Sequence, residues 1–372
     1  MTRRLLVVAS LILAMPLWSV AAEPVPFTIM TQNMDAGTDL TYVALGLNGY
    51  GSAYGLDVPG AVGLTYAEIL SAAIPQRAAV LAAKVAERKP DLLALEEVTT
   101  WQTGDTPETA STVLVDQLQV LLSRLAALGV PYQTVIVNTV SDTALPMSWP
   151  SAFGPAPTSP MPGAFRMIDQ NVLLVRADLR RSGLSLSNIS SGTFADVYSL
   201  GPLEIPCGWI SALVQVGDRQ VKLLATHLQS PVAIDPTAAI VQGKQATQLV
   251  EMANSSSVPV VIAGDFNSDA ILGSAGPGPD NTETAANIAK AGYADAWTVH
   301  RGDSGVTWPF YAEDQLPPPP FVVTSTPYER IDLIFSKGLN VLSVDRVTAP
   351  IPGAGWPYFG SDHAGVIAKF HF

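Results

Sequence analysis

Asn33, Glu97, His227, Asp265, Asn267, Asp362 and His363 each border a short apolar run. Residues 27–32 lead into Asn33, residues 91–95 into Glu96 and Glu97, residues 223–226 into His227, and residues 258–264 into Asp265-Phe266-Asn267. Ser361-Asp362-His363 precedes the final apolar stretch, residues 364–372. Carboxylate, amide and imidazole together point to a hard divalent cation with a proton-transfer group beside it. Asp265 and Asn267 are two residues apart, so in an extended segment they face the same side. That suits a base holding water and an amide orienting a phosphate oxygen; the plain alternative is an Asp/Asn turn. Glu97 at a strand end is a natural Mg²⁺ ligand, and Asn33 can add an amide oxygen. Glu96 is expected to point the opposite way.

The chain has four histidines. His227 and His363 fall at strand ends beside hydroxyls or carboxylates, as candidate acids, bases or donors to a developing charge. His300 and His371 are read as structural. Asp332 lies inside the apolar run Ile331-Asp332-Leu333-Ile334-Phe335. Burying it costs several kcal/mol unless it is paired, and an imidazole is the obvious partner.

Such groups need strands to deliver them to one rim, where open α/β sheets place their sites. Short apolar runs read as buried strands: residues 91–95, 132–137, 171–176, 258–263, 331–335 and 366–372. Residues 213–216 and 221–225 read as a hairpin around Gly217-Asp218. Helical periodicity covers residues 75–88, 112–128 and 238–253. Strands and helices alternate, so the class is α/β with a strand-end site. Residues 37–63 and 141–163 read as irregular insertions, and Pro317 to Pro320 as a proline run. With no repeat and no clean linker, residues 23–372 are expected to form a single domain.

Arg3-Arg4, the apolar residues 5–20 and the small residues of Ser19-Val20-Ala21-Ala22 have the form of a signal peptide, residues 1–22. The expectation is a secreted or periplasmic protein with no transmembrane span after cleavage, and a monomer. Cys207 is the only cysteine, so no internal disulfide forms. Without Arg3 and Arg4 the chain carries 18 basic and 32 acidic residues, a formal charge of −14. That surface offers no basic footprint and argues against tight nucleic-acid binding.

Six segments, in order, resemble the motifs of the endonuclease/exonuclease/phosphatase (DNase I-like) superfamily. Thr31-Gln32-Asn33 resembles its first motif, and residues 90–98 its "PDIIALQEV" strand, which aligns the metal-binding glutamate with Glu97. Thr226-His227-Leu228 resembles "THL", residues 264–267 "GDFN", residues 330–335 "RIDYIF", and residues 361–363 "SDH". Glu96 replaces the usual glutamine, and Cys207 stands where many members have arginine before glycine. Residues 169–174 are only loosely similar to "DGNAIL".

The resemblance implies a four-layer α/β sandwich, two mixed sheets packed face to face with helices outside. It implies metal-assisted hydrolysis of a phosphoester by in-line water attack. Glu97 and Asn33 would hold Mg²⁺ or Mn²⁺ with Asp362 near it, and Asp265 and Asn267 would position water. His227 and His363 would donate to phosphoryl oxygens, with Asp332 fixing His363 and Asp169 fixing His227. The substrate stays open among nucleic acid, a phospholipid headgroup and a small phosphate ester. A catalytically silent binding module of the same fold is one alternative. A glycosidase using Glu97 and Asp265 is another, which leaves the Asn33 and Ser361-Asp362-His363 elements unexplained.

Overall fold

Strands that are apolar on both faces must be covered on both faces, and this chain has many of them. The computed structural model describes residues 25–47, 49, 56–178, 183–232, 235–271, 282–314, 321–353 and 358–372. The expected signal segment, residues 1–22, part of the 37–63 insertion and the proline run lie outside the described residues.

The first strands are β1 (Phe27–Asn33), β2 (Leu92–Glu96), β3 (Thr100–Gly104), β4 (Thr112–Asp116), β5 (Tyr132–Pro146) and β6 (Ala164–Arg176). There follow β7 (Leu184–Thr193), β8 (Tyr198–Leu200), β9 (Leu203–Ile205), β10 (Gly208–Val216), β11 (Arg219–His227) and β12 (Val260–Asp265). The last are β13 (Ala294–Asp295), β14 (Tyr311–Asp314), β15 (Phe321–Thr324), β16 (Asp332–Lys337), β17 (Asn340–Val347) and β18 (Gly365–His371). The helices are α1 (Thr41–Leu47), α2 (Val58–Ser71), α3 (Ile74–Arg88), α4 (Gln117–Ala127), α5 (Pro236–Asn254), α6 (Thr284–Lys290) and α7 (Ala296–His300).

One sheet runs β17-β18-β1-β2-β6-β3-β4, with β5 also paired to the long β6; the other runs β13-β16-β12-β11-β10-β7. Both are mixed: β1 and β2 are parallel, as are β11 and β12, and the neighbouring pairs are antiparallel. Ile29, Leu92 and Ala94 of the first sheet share one buried cluster with Leu223, Val261 and Ile334 of the second. α3 and α4 cover the outer face of the first sheet through Leu81, Val85 and Leu121, against Met30, Leu93 and Leu95. α5 and α6 cover the second through Leu249 and Ile288, against Leu224, Ile262 and Phe335. The order is helix, sheet, sheet, helix: the expected four-layer sandwich. No single described helix is long and apolar enough to cross a membrane; α2 and α3 pass that test only as a pair bent by 49°.

Side chains alternate between the faces of a strand, and here that rule assembles a site. Leu92 and Ala94 face the opposite sheet, so Glu96 does too. The same count carries His227 on from Val221, Leu223 and Ala225, and Asp265 on from Val261 and Ala263. Asp332, two residues before Ile334, begins the inward face of β16. The carboxyl ends of β1, β2, β11 and β12 meet the starts of the antiparallel β16 and β18 at one rim. There the register sets Asn33 beside Glu96, His227 beside Asp265, and Asp265 beside Asp332.

Three elements differ from the sequence reading. Residues 112–116 are not helical but form β4; Thr112, Val113 and Val115 are β-branched and pair with β3. The helix begins only at Gln117, where the Asp116 carboxylate accepts from the Gln119 N–H at 3.0 Å. Residues 141–146 are not loop but extend β5, paired with β6 as far as Pro146 opposite Ala164. The 37–63 insertion holds α1 and the first turns of α2, whose N-terminus is capped by Asp57. The two insertions touch: the Ser148 N–H donates to the Pro59 carbonyl at 3.0 Å. A Cβ on Gly63 would stand 2.0 Å from the Ser148 carbonyl oxygen, so that contact requires glycine.

Candidate active site

Asp265 is the hub. Its side chain is fully buried at the end of β12, and Oδ1 accepts from the Asn267 N–H at 2.8 Å. Oδ2 accepts from Asn33 Nδ2 at 2.9 Å and lies 3.7 Å from His227 Nε2 and 3.8 Å from His363 Nδ1. Gly264 makes this possible, because a Cβ there would lie 1.8 Å from the Thr226 carbonyl oxygen of β11. Asn267 turns back at φ 46° and its Nδ2 donates to the Leu228 carbonyl at 3.0 Å. The same Nδ2 lies 3.0 Å from His227 Nε2, which can accept from it in the tautomer protonated at Nδ1.

His363 stands on the other side of Asp265. Its Nδ1 is 2.9 Å from Asp332 Oδ2, and its Nε2 is 3.9 Å from Asp362 Oδ1. Burial works against a charged ring, but Asp332, Asp362 and Asp265 together hold its pKa well above the usual histidine value. The Ser361 hydroxyl donates to the Asn33 carbonyl at 2.8 Å and accepts from the His363 N–H at 3.0 Å, fixing the loop to β1.

Glu97 arrives by a different route from the one its position suggests. The inward position on β2 belongs to Glu96, and Glu97, just past the strand, is carried over the rim by a left-handed turn at φ 53°. Its Oε1 accepts from Asn33 Nδ2 at 2.9 Å and lies 4.0 Å from His227 Nε2, while Oε2 accepts from the Ala36 N–H at 3.0 Å. Glu96 does not point away from the site: it lies buried beneath, its Oε1 accepting from the Thr31 hydroxyl at 2.8 Å. Burial, with Asp332 and Asp265 adding to it, raises its pKa well above the carboxylate range, which favours the neutral acid. A neutral carboxylic acid has nearly the shape of the glutamine amide. Glu96→Gln is therefore expected to change kcat/KM toward a phosphodiester within about threefold. Glu97→Gln should cost at least about 100-fold, the upper end of what losing an outer partner of a metal costs. Equal losses in steady-state assays would contradict this division.

Asn33 lies between Glu97 and Asp265. Its Oδ1 accepts from the Asp35 N–H at 2.9 Å, and its NH₂ group faces Glu97 and Asp265. In this arrangement the Asn33 amide ties two acids together as a donor. Asp169 is half-buried, and its Oδ1 is a buried atom lacking a hydrogen-bond partner. Burial and the Glu97 charge push its pKa up to about 6, and His227 is close enough to pull it back. No hydrogen bond joins it to His227 among the described residues. Residues 300 and 371 lie on α7 and β18, outside this cluster.

The sequence reading missed Asp35, Arg77, Tyr311 and Trp308. Asp35 Oδ2 is paired with Arg77 at 2.7 Å and accepts from the Tyr311 hydroxyl. Trp308 Nε1 donates to Asp362 Oδ2 at 2.8 Å. One signal was present: Arg77 sits on the apolar face of α3 with Ala78 and Leu81, and a charge placed there requires a buried partner.

Asp362 is half-buried, and the loss of water around its carboxylate, with Asp35 and Glu97 nearby, pushes its pKa up to about 7. Glu97, His227 and Asp265 bring ligand atoms within 4.8 Å of one another, and so do Asp265, Asp332 and His363. Among the described residues, no Lys or Arg side chain is in the lining of the surrounding cavity. Crowded acids, an orphaned buried carboxylate oxygen and mostly oxygen donors fit a hard divalent cation.

The model of the endonuclease/exonuclease/phosphatase family matches residues 69–363. No curated protein is a significant match in sequence. Among solved structures, an endonuclease/exonuclease/phosphatase from Beutenbergia cavernae is 20% identical, with a TM-score of 0.53, over 94% of this chain and 72% of its own. A family protein from Bacteroides thetaiotaomicron is 15% identical, with a TM-score of 0.54, over 94% and 99%. A mannosyl-6-phosphatase from Bacteroides thetaiotaomicron is 16% identical, with a TM-score of 0.52, over 93% and 100%. With the sandwich, its rim of acids and imidazoles, and a match over residues 69–363, this chain belongs to the endonuclease/exonuclease/phosphatase family, whose members hydrolyse phosphoester bonds.

Proposed function

We propose that this protein is an exported, divalent-metal-dependent phosphoesterase. The observation that carries the reading is the convergence of Glu97, His227 and Asp265 within ion-holding distance, flanked by the His363–Asp332 pair. Glu97 and Asp362 would hold Mg²⁺ or Mn²⁺, which would neutralise phosphate charge and polarise the phosphoryl group. Asp265 takes the proton of the attacking water, and Asn33 holds Asp265 and Glu97 in position. Asn267 holds His227, and His227 meets one side of the phosphate. His363 donates from Nε2, because Asp332 occupies Nδ1. The water oxygen bonds to phosphorus, the bond from phosphorus to the leaving oxygen breaks, and that oxygen takes a proton from solvent. The apolar N-terminal segment after Arg3-Arg4 supports export. The fold neighbour named as a mannosyl-6-phosphatase is compatible with a small phosphate ester.

A panel of plasmid DNA, RNA, inositol phosphates, phospholipid and bis-p-nitrophenyl phosphate, assayed with Mg²⁺, tests the reading. Turnover of at least one, lost in Asp265→Asn, supports it. Cleavage of a sugar alone, undisturbed by chelation, would replace it with the glycosidase alternative. The acidic surface sets a further expectation: DNA binding should weaken less than about tenfold between 50 and 200 mM salt, since six or more phosphate contacts would cost ~10³-fold or more. A steep salt dependence in a filter-binding titration would reveal a basic groove.

A further inference from the structure

Beyond the reacting phosphate, the active site continues into a cavity of ≈ 680 Å³, one end of which is formed by Glu97, His227, Asp265, Asn267, Asp362 and His363. Pockets for small molecules span about 300–1,000 Å³. Its walls carry Leu40 and Val43 from the first insertion, Leu145 from the second, Phe165, and Leu200 and Leu203 from the β8–β9 hairpin. Leu40, Val43, Leu145 and Phe165 belong to one apolar cluster, and the Ser148–Pro59 hydrogen bond locks the two insertions together. The charged side chains in the described lining are carboxylates and the two histidines. Asp39 and Glu204 add further negative charge to the lining. A second phosphate in this cavity would meet acids and no described lysine or arginine, whereas an alkyl or aryl group would meet side chains that gain by losing water.

We propose that the substrate is a diester with a single phosphate, one of whose ester groups is a long apolar chain lying in this cavity. The proposal rests on the phosphoesterase reading above and narrows its substrate. It also accounts for the two insertions, which build the apolar wall.

A series of p-nitrophenyl alkyl phosphates, from methyl to octyl, tests it on the whole protein with Mg²⁺. In each, p-nitrophenolate leaves and the alkyl group stays on phosphorus, so the reporter chemistry is constant. Full burial gives at most roughly fourfold per methylene, so an increase in kcat/KM of about 30-fold or more from methyl to octyl is expected, chiefly through KM. Leu203→Lys should bring the octyl-to-methyl ratio down to within about threefold by setting a charge in the wall. Equal turnover of methyl and octyl esters overturns the apolar-chain assignment while leaving the phosphoesterase reading intact. No turnover of any ester overturns that reading itself. An unchanged ratio in folded Leu203→Lys overturns the placement of the chain, and faster cleavage of an oligonucleotide than of the octyl ester overturns the substrate class. Phosphatidylcholine vesicles separate the two sources of such an ester. Cleavage of vesicles and dissolved esters upholds the proposal with a lipid substrate, and cleavage of dissolved esters alone upholds it with a soluble one.

Discussion

Phosphoester hydrolysis by this protein is expected to fall to background in excess EDTA and to return on addition of Mg²⁺ or Mn²⁺. The physical reason is the crowding of acids. Asp362 and Asp169, half-buried, and Glu96, buried, lie near other carboxylates, and each is raised above the ordinary carboxylate range. A divalent cation removes that repulsion and displaces the protons, so binding should tighten as pH rises. A second readout does not depend on turnover. An acid whose folded pKa is raised favours the folded state while protonated, and that contribution is lost as pH rises through the folded value. For Asp362 the window runs from the ordinary value of 3.8 to about 7. Without metal, thermal stability should therefore decline across that window, and Mg²⁺ should restore it at neutral pH. At a concentration 100 times its Kd, a ligand of the native state adds about 2.7 kcal/mol. Full hydrolysis of any phosphoester in excess EDTA, with no metal-dependent shift in melting temperature, would sink the metal-centred mechanism.

Replacing Asp332 by asparagine should keep the fold and lower turnover by ~10²-fold or more, the scale of one well-placed acid–base group. Asp332 is buried at the start of β16 and its Oδ2 meets His363 Nδ1 at 2.9 Å. Its charge is the largest influence holding the imidazole protonated against burial. Removing that charge lowers the histidine pKa, so the alkaline limb of the pH–rate profile should move to lower pH. The sign follows from the active form: if protonated His363 donates to phosphate, activity is lost on deprotonation, and the variant deprotonates earlier. The double variant Asp332→Asn/His363→Ala should be barely worse than His363→Ala alone, because the two act as a unit. Fully additive losses would show that Asp332 serves something other than His363. The second cluster of Asp265, Asp332 and His363 would then be the place to look for another cation.

Much of this was legible in the sequence because the information is local. Apolar runs covered on both faces identified most of the strands, and Asp265, His227 and Asp332 follow from counting in twos along β12, β11 and β16. The family motifs put these residues in the right order along the chain. The same counting misled at Glu96 and Glu97, because a left-handed turn at Glu97 interrupts the period at the strand end. It misled also at residues 112–116, where Leu114 falls on one helical stripe with Leu118, Leu121, Leu122 and Leu125, yet β-branched residues opposite β3 pair as a strand.

The sequence by itself determined the class of chemistry, the family and the strands that carry its polar residues, because each of these depends on neighbours within a few positions. The tertiary structure decided which acids are raised above the carboxylate range, that the Asn33 amide bridges Glu97 and Asp265, and that Arg77 and Tyr311 hold Asp35. It also decided that two insertions far apart in the chain close one apolar wall. Burial, electrostatic crowding and cavity shape arise from side chains brought together across separations such as the 276 residues between Asp35 and Tyr311, and no local pattern records them.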